Sequence, residues 1–364
     1  MKKILSSIIT TLLISSNTVF ASDYKAVDEF SKESFNINSE NYLKNEKLDN
    51  SEFDFSEKDL LKVLINTKQY FEKFSNEDPI INRVGFLESA DISLNDILKT
   101  IDYLIEITQE DIKEKRSSRL KNIDFINENF RVIRWYPYNP KDKTQTEKIR
   151  ITKYAIFTHE GSKTKTKFFN IPLYALKSDD MFYKKYTKQD VLSGIFEKKG
   201  KEFGKAQSLV YLTREGLEEA LMEGTLLVKY KDGKSEFFNV DRNNGIAYVK
   251  GLDRKKQKRY WYFKQVNSIN GYGNKIENRI KVEPAVTFAG DIFNIGLGRI
   301  VALQYDLQGK KKTKIGIIAD TGGAFLPNLH QLDFLAGIFK TRQDFINYSK
   351  NLPPYVNVSF LIKK

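Results

Sequence analysis

The 364-residue chain contains no cysteine. That absence excludes disulfides, thiolate metal sites, a cysteine nucleophile and a lipid-modified N-terminal cysteine. Histidine is scarce: His159 and His330 are the only two, and neither stands at ligand spacing from a second metal-binding residue, so neither a metal nor another cofactor is expected. Long hydrophobic runs are missing as well. The one apolar stretch near the N-terminus, residues 4–14, is too short to cross a bilayer, and no second candidate follows it. Negative charge is in deficit, with 60 Lys and Arg against 47 Asp and Glu. Such a balance favours polyanions, whether nucleic acid, anionic lipid or a cell-wall polymer. The densest basic run is Arg254-Lys-Lys-Gln-Lys-Arg259, which reads more readily as a solvated loop than as a binding patch.

What is present begins with targeting. Lys2 and Lys3 precede the apolar run, and Val19-Phe20-Ala21 offers a small residue at the expected cut. Residues 1–21 therefore read as a secretory signal peptide, with a mature, exported protein from Ser22. Residues 22–50 are polar and read as a flexible leader. Residues 51–135 read as helical. Ser56 with Asp59 and Ser93 with Asp96 have the spacing of helix N-caps, each ahead of apolar residues at helical period. A third such segment carries Leu120, Ile123, Ile126 and Phe130.

From Ile149 the period changes to that of strands, over residues 149–157 and 167–174. Helices are expected over 188–203 and 213–222, and a hairpin about Asp232-Gly233. The last hundred residues are strand-rich with glycine corners, which suggests a small closed barrel. Within them stand three aspartates in related settings: Asp291 after Thr287-Phe-Ala-Gly, Asp320 ahead of Thr-Gly322-Gly323-Ala324, and Asp333 between Leu332 and Phe334. A carboxyl in apolar surroundings holds its proton longer than one in water, as a general acid requires. Asp before Gly also makes ordinary turns, so these residues alone leave both readings open.

Other motifs share a common order with these acids. They are Thr152-Lys-Tyr154 followed by Gly161-Ser162-Lys163, Pro172-Leu173-Tyr174, Asn243-Asn244-Gly245 with Tyr248, and Tyr260-Trp261-Tyr-Phe263. They continue through Pro284-Ala-Val-Thr287 and Ile295-Gly296-Leu297-Gly298 to Asp320-Thr-Gly-Gly-Ala324 and Leu332-Asp333. In that order the chain resembles the membrane-bound lytic transglycosylase A family of peptidoglycan-cleaving enzymes, and its C-terminal part the three-aspartate domain of that family. The resemblance implies a mainly β fold behind the helical front: a double-psi β-barrel built from residues 136–165 and 260–364, with a smaller β-rich domain, 166–259, inserted between them. It implies a glycan strand of peptidoglycan as partner, no nucleic acid, a monomer and a periplasmic location; the lipid-anchor cysteine common in the family is absent here, so no lipoprotein is expected.

The resemblance also implies roles. Asp333 would be the acid and then the base. Asp320 and Asp291 would orient it, hold its loop or raise its pKa. Thr152, Tyr154, Gly322, Gly323, Ala324, Tyr260 and Trp261 would face the substrate, and Phe325 is a further candidate, although core packing explains the aromatics better. Departures are visible too. The family's Tyr-Tyr-Glu-Pro is here Tyr154-Ala155-Ile156-Phe157, so its acid is missing, and the Asp320-to-Asp333 segment is longer. A non-catalytic wall-binding relative, and a hydrolase on the same barrel, stay open beside the transglycosylase.

Overall fold

The computed structural model describes residues 41–178, 180–322 and 328–364, with Ile276 by its backbone alone. The expected signal peptide and most of the expected leader lie outside these residues. The leader does not reach residue 50: strand β1 (Leu43–Glu46) pairs antiparallel with residues Val132 to Trp135, and Leu43 is buried there. A two-residue strand, β2 (Glu52–Phe53), follows.

Ser56 caps helix α1 (Glu57–Phe74), its side chain accepting from the Asp59 amide at 3.2 Å. Leu60, Leu64, Phe71 and Phe74 form a buried face at the expected helical period; Val63 joins it, whereas Leu61, read as part of the same stripe, is only partly buried. Ser93 and Asp96 make a reciprocal capping box at the start of α2 (Leu94–Lys113). The third segment departs from expectation. Helix α3 covers only Ile123–Asn129, and Phe130 opens strand β3 (Phe130–Trp135). Pairing on both sides, with β1 and with the C-terminal strand, outweighs helical spacing in this stretch, and β-branched Val132 and Ile133 suit it.

Strand β4 (Ile149–Glu160) leads into an inserted stretch made of β5 (Ile171–Leu176), α4 (Lys188–Leu192), β6 (Ala206–Leu212), α5 (Arg214–Ala220), β7 (Thr225–Lys229), β8 (Ser235–Asn243) and β9 (Trp261–Val266). The helix expected over 188–203 stops after five residues. Gly194 at φ +91° and Lys199 at φ +75° break it. Because β9 pairs with β8, the insertion runs past residue 260. Its core is separate and aromatic, built on Tyr174, Phe182, Tyr183, Phe196, Tyr260 and Tyr262.

The chain then returns through β10 (Thr287–Ala289), β11 (Ile300–Leu307), β12 (Lys310–Asp320), β13 (Gln331–Phe339), helix α6 (Arg342–Ser349) and β14 (Tyr355–Lys363). β11 and β12 form a hairpin whose two turn residues, Gln308 and Gly309, both have positive φ, as the two-residue primed turn requires. The strand order β14-β11-β12-β10-β13-β4 closes on itself where Tyr355 and Val356 of β14 meet Arg150 and Ile149. The result is a closed six-stranded barrel, mainly β overall, with strands from both sides of the insertion. β7 continues the sheet from the far end of β4, so the insertion hangs directly on the barrel wall. α1, α2 and the barrel share one core.

Candidate active site

The site is organised by the shortest barrel strand. β10 runs parallel to β12 and antiparallel to β13, and Ala289 faces Asp320 on one side and Asp333 on the other. A register shift between Phe288 and Ala289 skips Ala319 and brings Asp320 into line. Neighbouring strands lie ~4.8 Å apart, so the two acids stand ~10 Å apart at their Cα atoms. β4 supplies the adjacent wall: Thr152 is the register partner of Asp333, and Tyr154 of Leu335.

The two carboxylates are held differently. Both oxygens of Asp320 are occupied: Oδ2 accepts from the Tyr154 hydroxyl at 2.7 Å and Oδ1 from the Thr321 amide at 2.8 Å. The Thr321 hydroxyl in turn donates to the Gly290 carbonyl at 2.8 Å, fixing the turn that follows the strand. Asp333 is half-buried, and its Oδ1 is sheltered from solvent with no hydrogen-bond partner among the described residues. Thr152 is tied at its hydroxyl, accepting from Gln331 Nε2 at 3.0 Å and donating to the Leu332 carbonyl at 3.3 Å.

Burial pushes both acids up to about 6. For Asp320, the Tyr154 and Thr321 bonds and the charge of Arg279 oppose that rise. For Asp333, the charge of Lys153 opposes it, while the Asp320 charge adds to it. An acid that keeps its proton close to neutral pH beside a second, anchored carboxylate is equipped for proton transfer to a ligand.

Asp291 is fully buried, and its surroundings set it apart. Oδ1 accepts from the amides of Phe293 and Asn294 at 3.1 and 3.0 Å, and Oδ2 accepts from Asn294 Nδ2 at 2.7 Å and the Asn328 amide at 2.8 Å. Burial also pushes this carboxyl up to about 6 against those four bonds. A side chain so enclosed is placed to hold its loop, one of the roles expected for Asp291. It ties the turn after β10 to Asn328, just ahead of β13.

The remaining expected residues divide. Thr152 and Tyr154 lie with the acids and Gly322 follows Asp320 by two residues, whereas Gly323, Ala324 and Phe325 fall outside the described residues. Tyr260 does not offer a face to a sugar: it is wholly buried in the core of the insertion, its ring 5.0 Å from that of Tyr262. Trp261 packs on the same core, with the Arg259 guanidinium 4.2 Å from its ring centroid. The sequence reading passed over two residues. Arg279 bonds Asn239 Oδ1 through Nη1 at 2.6 Å and sends its charge toward Asp320. No motif announces either residue, because they meet only when the insertion folds against the barrel.

No family model and no curated protein matches the chain. Solved structures do. It is similar to E. coli MltA with bound chitohexaose, at TM-score 0.58 and 12% identity over 93% of this chain and 98% of that one. A membrane-bound lytic murein transglycosylase from Agrobacterium tumefaciens aligns at TM-score 0.57 and 13% identity, covering 88% and 98% of the two chains. MltA from Neisseria gonorrhoeae aligns at 0.54 and 13%, covering 84% and 88%. With the barrel, the insertion and the helical front all included in that overlap, the chain carries the MltA-type lytic transglycosylase fold.

Proposed function

We propose that the chain is an exported peptidoglycan lytic transglycosylase, cleaving the β-1,4 bond between N-acetylmuramic acid and N-acetylglucosamine in the cell envelope. The observation that carries this reading is the state of Asp333: a raised carboxyl with one sheltered, unpartnered oxygen beside an anchored second acid, on a barrel like that of the structure with bound chitohexaose.

Asp333 enters the reaction protonated. It gives its proton to the glycosidic oxygen as the bond from that oxygen to the muramoyl anomeric carbon breaks. The carboxylate so formed takes the proton of the muramoyl 6-hydroxyl, whose oxygen bonds to the same carbon and closes a 1,6-anhydro ring. No water is consumed and Asp333 ends protonated, ready for another turnover. The nucleophile belongs to the substrate, so proximity stands in for activation of solvent. A single acid suffices, where most glycosidases use two. Asp320, held by Tyr154 and Thr321, favours the protonated form of Asp333 whenever its own carboxyl is ionised.

The test is to incubate the mature protein and an Asp333→Asn variant with purified sacculi and to weigh the soluble products. Anhydro-muropeptides from the unmodified protein alone support the proposal. Reducing-end products mean hydrolysis, and retention on sacculi without release means a wall-binding protein; either outcome overturns it.

A further inference from the structure

Arg279 stands at the seam between barrel and insertion, and its position is fixed from both sides. On the barrel side, the Tyr272 amide donates to the Ala319 carbonyl at 2.9 Å, and the Ile280 amide donates to the Tyr272 carbonyl at 2.8 Å. That ladder sets Arg279, the residue before Ile280, alongside the end of β12 that carries Asp320. On the insertion side, Asn239 of β8 is 2% exposed, and its Nδ2 donates to the Gly224 carbonyl at 3.0 Å and to Thr225 Oγ1 at 2.6 Å. Those donor bonds turn Oδ1 toward Arg279, where it accepts from Nη1 at 2.6 Å. A cation is thus oriented in part by a buried amide, with its charge reaching Asp320.

Resting on the function proposed above, we propose that Arg279 is a specificity-determining residue that pairs with a carboxylate of the glycan strand. The planar guanidinium matches a carboxylate in shape and charge. Muramoyl residues present such a group either on the lactyl ether of strands free of stem peptides or on the stem peptide itself. Chito-oligosaccharides have the same β-1,4 backbone and no carboxylate, so they provide the neutral reference.

The experiment reads binding, which separates it from turnover. Titrate the Asp333→Asn protein, with and without R279Q, using three ligands of equal length: muramoyl glycan without stems, muramoyl glycan with stems, and chito-oligosaccharide. R279Q is expected to weaken a carboxylate-bearing ligand about tenfold relative to the neutral one, the scale of a charged hydrogen bond, with R279K recovering part. Whichever acidic ligand responds identifies the carboxylate. Equal loss for all three ligands, no loss, or no binding to any of them overturns the inference. Thermal midpoints of the variants separate lost affinity from lost fold. Failure of the unmodified protein to release anhydro products removes the transglycosylase reading, whereas this result turns only on whether Arg279 discriminates charge.

Discussion

Tyr154 donates its phenolic proton to Oδ2 of Asp320 at 2.7 Å, across the seam between β4 and the end of β12. This bond favours the ionised form of Asp320 against its burial. Removing it with Tyr154→Phe leaves that oxygen without its donor and lets the carboxyl keep its proton to higher pH. Asp320 then repels the ionised form of Asp333 less, and the acid at Asp333 weakens. The expected result is a fall in kcat of about tenfold or more, with the descending limb of the pH profile moved to lower pH. An unshifted profile would leave Tyr154 as packing only.

The pH dependence follows from the raised acids. Asp333 must be protonated to act, and its carboxyl is pushed up to about 6. Activity on sacculi is therefore expected to decline as pH rises through about 6, close to tenfold per unit beyond it. Stability has the same sign. A carboxyl that holds its proton more tightly when folded than when unfolded stabilises the protein at low pH, and that contribution is lost as pH climbs from the ordinary carboxyl range through about 6. Asp333→Asn is accordingly expected to raise the thermal midpoint at pH 7 and to change it little at pH 3.5, which calorimetry at the two values checks.

Much of the frame was legible in the sequence because its signals are local. The caps at Ser56 and Ser93 and the hairpin about Asp232-Gly233 each depend on residues within one turn. The misreadings arose where pairing partners lie far away. Phe130 left its helical spacing to join β1 and β14, and Leu43 joined the sheet from a stretch of leader-like composition. The acids behaved likewise. Asp320 and Asp333 are recognisable as motif residues, yet only the register about Ala289 places them on one wall. Asp291 has the same motif character and a different fate, because its own turn closes over it.

Asp291→Asn tests that distinction. The substitution keeps one acceptor oxygen and puts an amide where Oδ2 accepted from Asn294 and Asn328, so donor meets donor in a buried space. Stability is expected to fall by about 2–4 kcal/mol, since buried groups lose their partners. Activity per folded molecule should fall less than for Asp333→Asn. Denaturant titration gives the first quantity and turnover on sacculi the second; a stable but inactive Asp291→Asn protein would return Asp291 to the chemistry.

Gly296 and Arg299 make the strictest test of how the loop after β10 is built. Arg299 is fully buried and donates to four backbone carbonyls: Ile295 at 3.1 Å, Leu297 at 2.7 Å, Arg83 at 2.6 Å and Val84 at 2.7 Å. Gly296 has φ +98°, and a Cβ there would come within 2.1 Å of Arg299 Nη2. Gly296→Ala therefore carries two penalties. The backbone conformation costs about 1–2 kcal/mol for a residue with a Cβ. Displacing the guanidinium strips buried hydrogen bonds from a charge, a further cost of about 1.5–3 kcal/mol. If the second penalty is real, it must vanish once the guanidinium is gone. Against an Arg299→Met background, itself destabilised, Gly296→Ala should cost only the backbone part. Denaturant titration of the four proteins in this cycle is expected to give a coupling of at least about 1.5 kcal/mol, and strict additivity would mean that the loop moves aside to admit the methyl group.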